Sequence, residues 1–270
     1  MNPIDAYFRA RRAANRKAFM PFVTAGDPDL ATTERVIPAL AAAGAGLFEI
    51  GFPFSDPIAD GPVVQASYTR ALNKGLKLDD LFAAVKRVHA RPEMARVPLV
   101  GMVSYSLVFR RGPERFLNEA LAAGFAGAIV PDLPLEEADQ FARLAADRDF
   151  KVILLVTPTT PRDRAARIAK LSTGFLYCVS VTGITGERDR LPDQLLDQLL
   201  WLRQQTTIPL CVGFGVSKPE HVVMLRDVCD GVIVGSALVR RLEQIGARPA
   251  DEVITEVQDY VRSLVAALAD

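Results

Sequence analysis

Cysteine is scarce in this chain of 270 residues: Cys178, Cys211 and Cys229 are the only three, and they form neither a CxxC pair nor a Cys/His cluster. An odd, scattered set excludes a disulfide framework and argues against structural zinc. Two of the three sit in apolar runs, where a free thiol packs as a small hydrophobe. A reducing, cytoplasmic setting is expected, with no metal. An excess of one charge is also lacking, since 32 basic residues balance 32 acidic ones. Neither a nucleic-acid surface nor binding to an anionic membrane is therefore expected. No apolar run nears the roughly 20 residues that span a bilayer, and residues 1–8 hold no apolar core of signal-peptide length. Only two histidines occur. His89 ends one helical pattern and His221 lies within another; neither follows a strand, so both read as surface or packing residues. No Ser/His/Asp or Cys/His pairing can be assembled from strand ends.

What is abundant is apolar surface, at 50% of residues. Short apolar runs at 19–23, 47–50, 98–102, 127–130, 152–156, 175–180, 209–213 and 231–234 read as strands, although Pro21 weakens the first on propensity. Helical patterns at 29–43, 78–91, 113–123, 135–147, 161–170, 191–204, 217–227 and 250–268 alternate with them. Asp27-Pro28, Asp79-Asp80, Pro161 and Lys218-Pro219-Glu220 read as helix openings. Near-continuous apolar strands between helices indicate a parallel sheet covered on its outer face. Eight such units in a chain of this length predict an α/β fold, a closed (β/α)8 TIM barrel. An extra N-terminal helix at about 2–13 is expected to cap its bottom. No linker or low-complexity tract divides the chain, so one domain over 1–270 is expected. The connections 51–77 and 181–190 are unusually long, and loops that follow strands form the catalytic face of a barrel.

Strand alternation places Leu47, Glu49 and Gly51 on one face, with Phe48 and Ile50 on the other. If the large apolar pair packs against helices, Glu49 points into the barrel mouth. Desolvation there raises a carboxyl pKa and suits it to acid/base work. The competing reading is a Glu paired with a basic residue inside the barrel. Asp56 and Asp60 follow in the long loop, in Ser-Asp-Pro and Ala-Asp-Gly contexts that are also ordinary turn chemistry. Pro53, Pro57 and Pro62 stiffen that loop, but spacing alone does not choose between the two aspartates. Glycines follow the last three strands, in Gly183-Ile-Thr-Gly186, Gly213-Phe-Gly215-Val and Gly235-Ser236. They read either as tight turns or as a phosphate cradle, with a short phosphate-binding helix after strand 8.

The segment Glu-Ile-Gly-Phe-Pro-Phe-Ser-Asp-Pro-Ile-Ala-Asp-Gly-Pro (49–62) closely resembles the signature of the tryptophan synthase α subunit family. The resemblance extends through residues 21–28, 130–134, 177–186, 213–217 and 235–236. It implies retro-aldol cleavage of indole-3-glycerol phosphate to indole and glyceraldehyde 3-phosphate. It assigns acid/base work to Glu49, the indole N–H to Asp60, and an active-site tyrosine to Tyr177. Gly186, Gly215, Gly235 and Ser236 match phosphate-binding positions, and Phe22 and Val100 match the apolar wall around the indole. Thr185 matches a mobile-loop residue that contacts Asp60 on closure. Asp56 lies in the loop facing both the site and a partner. The family implies a β subunit carrying pyridoxal phosphate, in an α2β2 heterotetramer, and no cofactor in this chain. One departure stands out. The family's Tyr-x-Asn after the third strand is replaced by Ser104 and Ser106, so altered coupling or KM is expected rather than lost chemistry. The competing functions are a stand-alone indole-releasing lyase, a non-catalytic regulatory subunit of the same fold, and a sugar-phosphate isomerase barrel. Glu49, Asp60 and Tyr177 together argue against the regulatory subunit, and the 49–62 segment against the isomerase.

Overall fold

The apolar runs form parallel strands in the computed structural model, which describes residues 1–57, 60–180, 193–213 and 215–269. After helix α1 (Pro3–Ala13) come β1 (Ala18–Thr24), α2 (Leu30–Ala42), β2 (Phe48–Gly51), α3 (Pro62–Asn73), α4 (Leu78–His89), β3 (Leu99–Met102), α5 (Tyr105–Arg111), α6 (Pro113–Ala123) and β4 (Phe125–Ile129). The second half holds α7 (Leu135–Ala146), β5 (Lys151–Ile153), β6 (Leu155–Val156), α8 (Arg162–Leu171), β7 (Leu176–Val179), α9 (Asp193–Gln205), β8 (Leu210–Gly213), α10 (Pro219–Arg226), β9 (Gly231–Val234), α11 (Ser236–Leu242) and α12 (Ala250–Ala267).

The sheet order is β5-β4-β3-β2-β1-β9-β8-β7-β6. Its two ends are consecutive pieces of one run, so the order closes on itself as the expected barrel. The fifth expected strand, 152–156, is divided at Leu154. Its first half pairs with β4 and its second with β7. Ser172 seals the division. Its buried hydroxyl accepts the Leu154 N–H at 3.0 Å and donates to the Phe175 carbonyl at 2.8 Å.

Pro21 is accommodated because β1 changes partner beside it. Residues 18–21 pair with β9, and the pairing with β2 runs from Phe22 to Thr24. The missing N–H thus falls where one ladder gives way to the other. Phe48 and Ile50 pack outward with the helices, whereas Leu47, Phe22, Val100, Ile129, Ile153, Tyr177 and Ile233 fill the interior. Helix α1 closes the bottom: Ile4 and Phe8 join the interior cluster, and the Asn2 amide donates to the carbonyls of Ala126 and Asp149. Cys178, Cys211 and Cys229 are buried and unbridged. Among the described residues no helix is long and apolar enough to cross a membrane.

Two local expectations need correction, and one helix was not anticipated. The connection 51–77 contains α3, whose buried Val64, Ser67, Tyr68 and Ala71 follow helical spacing behind Pro62. A further helix, α5, follows Ser104, whose side chain accepts the Ser106 N–H at the helix start. Asp27-Pro28 does not open α2; Asp29 caps it by accepting the Thr32 N–H at 2.7 Å. Asp27 instead receives two hydrogen bonds from Arg70.

Replacing Ser172 by Ala strands the Leu154 N–H at the seam of the barrel. The unfolding free energy should fall by about 1–3 kcal/mol, seen as a lower urea midpoint at unchanged slope. An unchanged midpoint would show that the seam holds without this hydroxyl.

Candidate active site

A cavity of about 270 Å³ opens at the carboxyl ends of the strands. It is lined by Phe22 of β1, Glu49 of β2, Met102 of β3, Tyr177 of β7 and Ile233 of β9. Asp60 through Val64, Gly215 to Ser217, Gly235 to Ala237 and Arg240 complete the lining. Seven residues singled out from the sequence therefore meet here: Phe22, Glu49, Asp60, Tyr177, Gly215, Gly235 and Ser236. Val100 is fully buried beside Glu49 in the strand register but does not line the cavity; Met102, two residues further along the same strand face, does. Asp56 is exposed and accepts a hydrogen bond from Ser55 at 2.7 Å. Gly183, Thr185 and Gly186 lie outside the described residues.

Glu49 is only 1% exposed. Its Oε2 has no hydrogen-bond partner among the described residues, and no cation offsets its charge. Burial, and secondarily Asp60, push its pKa up to about 8. The carboxyl is thus mostly protonated near neutral pH, and the alternative of an internal ion pair does not apply among the described residues. Asp60 is pushed up to about 6, first by burial and then by the nearby Asp132. The Asp132 carboxylate accepts from the Ser104 hydroxyl at 2.6 Å and the Tyr105 N–H at 2.7 Å. Ser104 and Ser106 hydrogen-bond each other at 2.8 Å, so the two departures from the family pattern form one polar unit with Asp132.

The Asp60 backbone is held by α3. The Gln65 amide donates to the carbonyls of Asp60 at 2.7 Å and Pro57 at 3.1 Å. Tyr68, one helical turn further on, is buried against the same acids, and burial raises its pKa well above the usual phenol range. Tyr177 is raised in the same way, chiefly by burial and then by Glu49. Both rings depend on inward-facing glycines. A Cβ on Gly51 would meet the Phe22 ring and lie 2.8 Å from the Tyr68 hydroxyl, and one on Gly213 would collide with the Tyr177 hydroxyl. Tyr68, Val63 and Val64 were missed as site residues because α3 was read as loop. Their signal was Pro62 at the first helical position followed by apolar residues at helical spacing.

On the same lining, Gly215 adopts φ +81°, which favours glycine, and Gly235 opens α11 with no side-chain cap on the helix N–H groups. Acids and uncapped N–H donors in one cavity suit a substrate with a polarisable ring and an anionic tail.

Comparison with known proteins decides the family. The tryptophan synthase alpha chain model matches residues 8–268. The chain belongs to the tryptophan synthase alpha chain family. It is 51% identical to the tryptophan synthase alpha chain of Rhodopirellula baltica, over 98% of each chain. The crystal structure of the alpha chain from Legionella pneumophila superposes with TM-score 0.88 at 32% identity, covering 99% of this chain and 97% of that one. A structure of the tryptophan synthase a2b2 complex from Pyrococcus furiosus gives TM-score 0.85 at 39% identity, covering 93% and 99%. Family membership makes the chain a carbon–carbon lyase of tryptophan biosynthesis, and cleavage of indole-3-glycerol phosphate is the family's reaction.

The raised pKa of Glu49 has a consequence for stability. Between its ordinary value of 4.5 and about 8 the unfolded chain carries the charge while the folded chain keeps the proton. The folded state binds more protons across that window, so the Glu49 contribution to stability declines as pH rises through it. Glu49→Gln removes the titration. The variant should gain on the parent by roughly 3–5 kcal/mol between pH 4.5 and pH 8 in paired denaturant titrations. A difference independent of pH would mean that the carboxyl is not buried as a neutral acid.

Proposed function

We propose that this chain cleaves indole-3-glycerol phosphate with Glu49 as proton donor and acceptor and Asp60 as the partner of the indole ring. The observation that carries this is a buried carboxyl facing the same cavity as Asp60, with its Oε2 free of hydrogen bonds among the described residues and its pKa raised to about 8. Protonated Glu49 gives its proton to indole C3, and the ring becomes a cation. Asp60, ionised, accepts a hydrogen bond from the ring N–H and stabilises that charge. The Glu49 carboxylate then takes the proton of the side-chain hydroxyl next to C3. The carbon–carbon bond breaks, its electron pair returns to the ring, and glyceraldehyde 3-phosphate leaves as the aldehyde. Glu49 ends protonated, so protons balance without water or a cofactor.

Phe22, Met102 and Ile233 flank the ring, with Val100 supporting them from below. Tyr177 packs beside Glu49 and keeps water from it. Gly215, Gly235, Ser236 and Gly186 hold the phosphate through backbone N–H groups. Thr185 meets Asp60 when the substrate is covered. Residues 1–270 act as one catalytic domain in the cytoplasm. The chain holds no cofactor and pairs with a β subunit carrying pyridoxal phosphate in an α2β2 assembly. Indole passes to that subunit through a tunnel, with exposed Asp56 on the partner face. The a2b2 complex named for the Pyrococcus furiosus neighbour supports this partnership.

Indole formation is the measurement. Glu49→Gln should lose at least about 10³-fold in kcat while still binding substrate, and Asp60→Asn about 10²-fold. In the parent, kcat/KM should rise through a pH of about 6 as Asp60 ionises and fall through about 8 as Glu49 loses its proton. Substantial turnover by Glu49→Gln would remove Glu49 from the mechanism. Equal rates with and without a β subunit would favour a stand-alone lyase.

A further inference from the structure

The cavity lining mixes two chemistries. Glu49 and Asp60 are its acids, and Gly235, Ser236 and Arg240 come from α11 and the residue before it. Arg240 is the one cationic side chain on that lining among the described residues. It lies four residues after Ser236 on α11, so the two share a helix face. Side chains on a helix lean toward its N-terminus, which puts the turn that holds Ser236 within reach of the guanidinium.

The neighbouring charges are engaged elsewhere. Arg241 stacks on the Tyr260 ring, 3.6 Å from its centroid, and donates to the Ala237 carbonyl at 2.8 Å. Glu243 is held by Arg70 and Glu256 by Arg248, each at 2.8 Å. Among the described residues no carboxylate or carbonyl accepts a hydrogen bond from Arg240. Backbone N–H groups offer dipoles but no net charge, and the ionised Asp60 repels an incoming dianion. A cation at the phosphate end offsets both deficits.

We propose that Arg240 is a phosphate-binding residue of this site, closing the open edge of the glycine cradle with charge-assisted hydrogen bonds to the substrate's phosphate. The proposal rests on the phosphate end assigned above. Arg240 also borders a groove between α11 and α12, shared with Gln244 and Val257, and this is the other place its guanidinium can lie. The position is therefore specificity-determining: it rewards a phosphorylated tail over a neutral one.

The test measures glycerol 3-phosphate and indole binding by calorimetry, and indole-3-glycerol phosphate turnover, for the parent, Arg240→Gln, Arg240→Lys and Gly235→Val, each checked for folding by circular dichroism. Arg240→Gln should weaken glycerol 3-phosphate binding and raise KM by about tenfold, leaving indole affinity and kcat within about twofold. Arg240→Lys should recover part of the loss, because it restores charge without the fork. If Gly235→Val loses glycerol 3-phosphate but Arg240→Gln binds it as the parent does, the cradle stands and the role of Arg240 is overturned. If both variants bind it normally, the phosphate end is misplaced and the proposal falls with it. An equal loss of indole affinity in Arg240→Gln would also overturn it, since the effect would not be directed at phosphate.

Discussion

Glu49 is a buried carboxyl that, among the described residues, faces no cation and has one oxygen without a hydrogen bond, and the site is organised around it. Burial leaves Glu49 poorly solvated, and Asp60 repels its negative form, so the least costly state is the neutral acid. That state is what the chemistry needs, because an indole carbon is a weak base and accepts a proton only from an acid already poised beside it. Asp60 is less deeply buried and stays the stronger acid, so one carboxyl donates while the other remains charged. Two groups of similar intrinsic pKa thus take different roles from environment alone.

The rest of the site keeps that environment crowded and fixed. Gly51 and Gly213 give up their own volume so that the rings of Phe22, Tyr68 and Tyr177 fill the mouth beside the acids. Helix α3 sets the position of Asp60 through Gln65, and Arg70 on the same helix bonds both Asp27, after β1, and Glu243, after α11. Partly exposed ion pairs of this kind contribute little stability. Their value here is geometric, since they tie the helix beside the carboxylates to the helix beside the phosphate end. The pair Ser104 and Ser106 belongs to the same shell, holding Asp132 where its charge faces Asp60.

The barrel was legible because parallel strands covered on both faces read as continuous apolar runs, and the inward direction of Glu49 followed from alternation with Phe48 and Ile50. Other features depend on relations that local sequence does not carry. Asp56 and Asp60 sit in similar turn contexts; what separates them is burial by α3, and α3 was hidden because Pro62 read as one more loop-stiffening proline. Val100 and Met102 share a strand face, and only the register of β3 against β2 shows which one reaches the cavity wall. Arg240 and Tyr68 belong to no motif and become visible only when helices fold back over the mouth. Pro21 looked adverse to a strand because the change of pairing partner beside it is a property of the whole sheet.

The neutral acid at Glu49 in the resting protein is directly observable. Infrared difference spectra between the parent and Glu49→Gln, recorded across pH, isolate the C=O stretch of a protonated carboxyl. The band should be present at neutral pH and titrate near pH 8, in line with the raised pKa. A band that disappears near the ordinary value of 4.5 would mean that Glu49 is ionised at neutral pH.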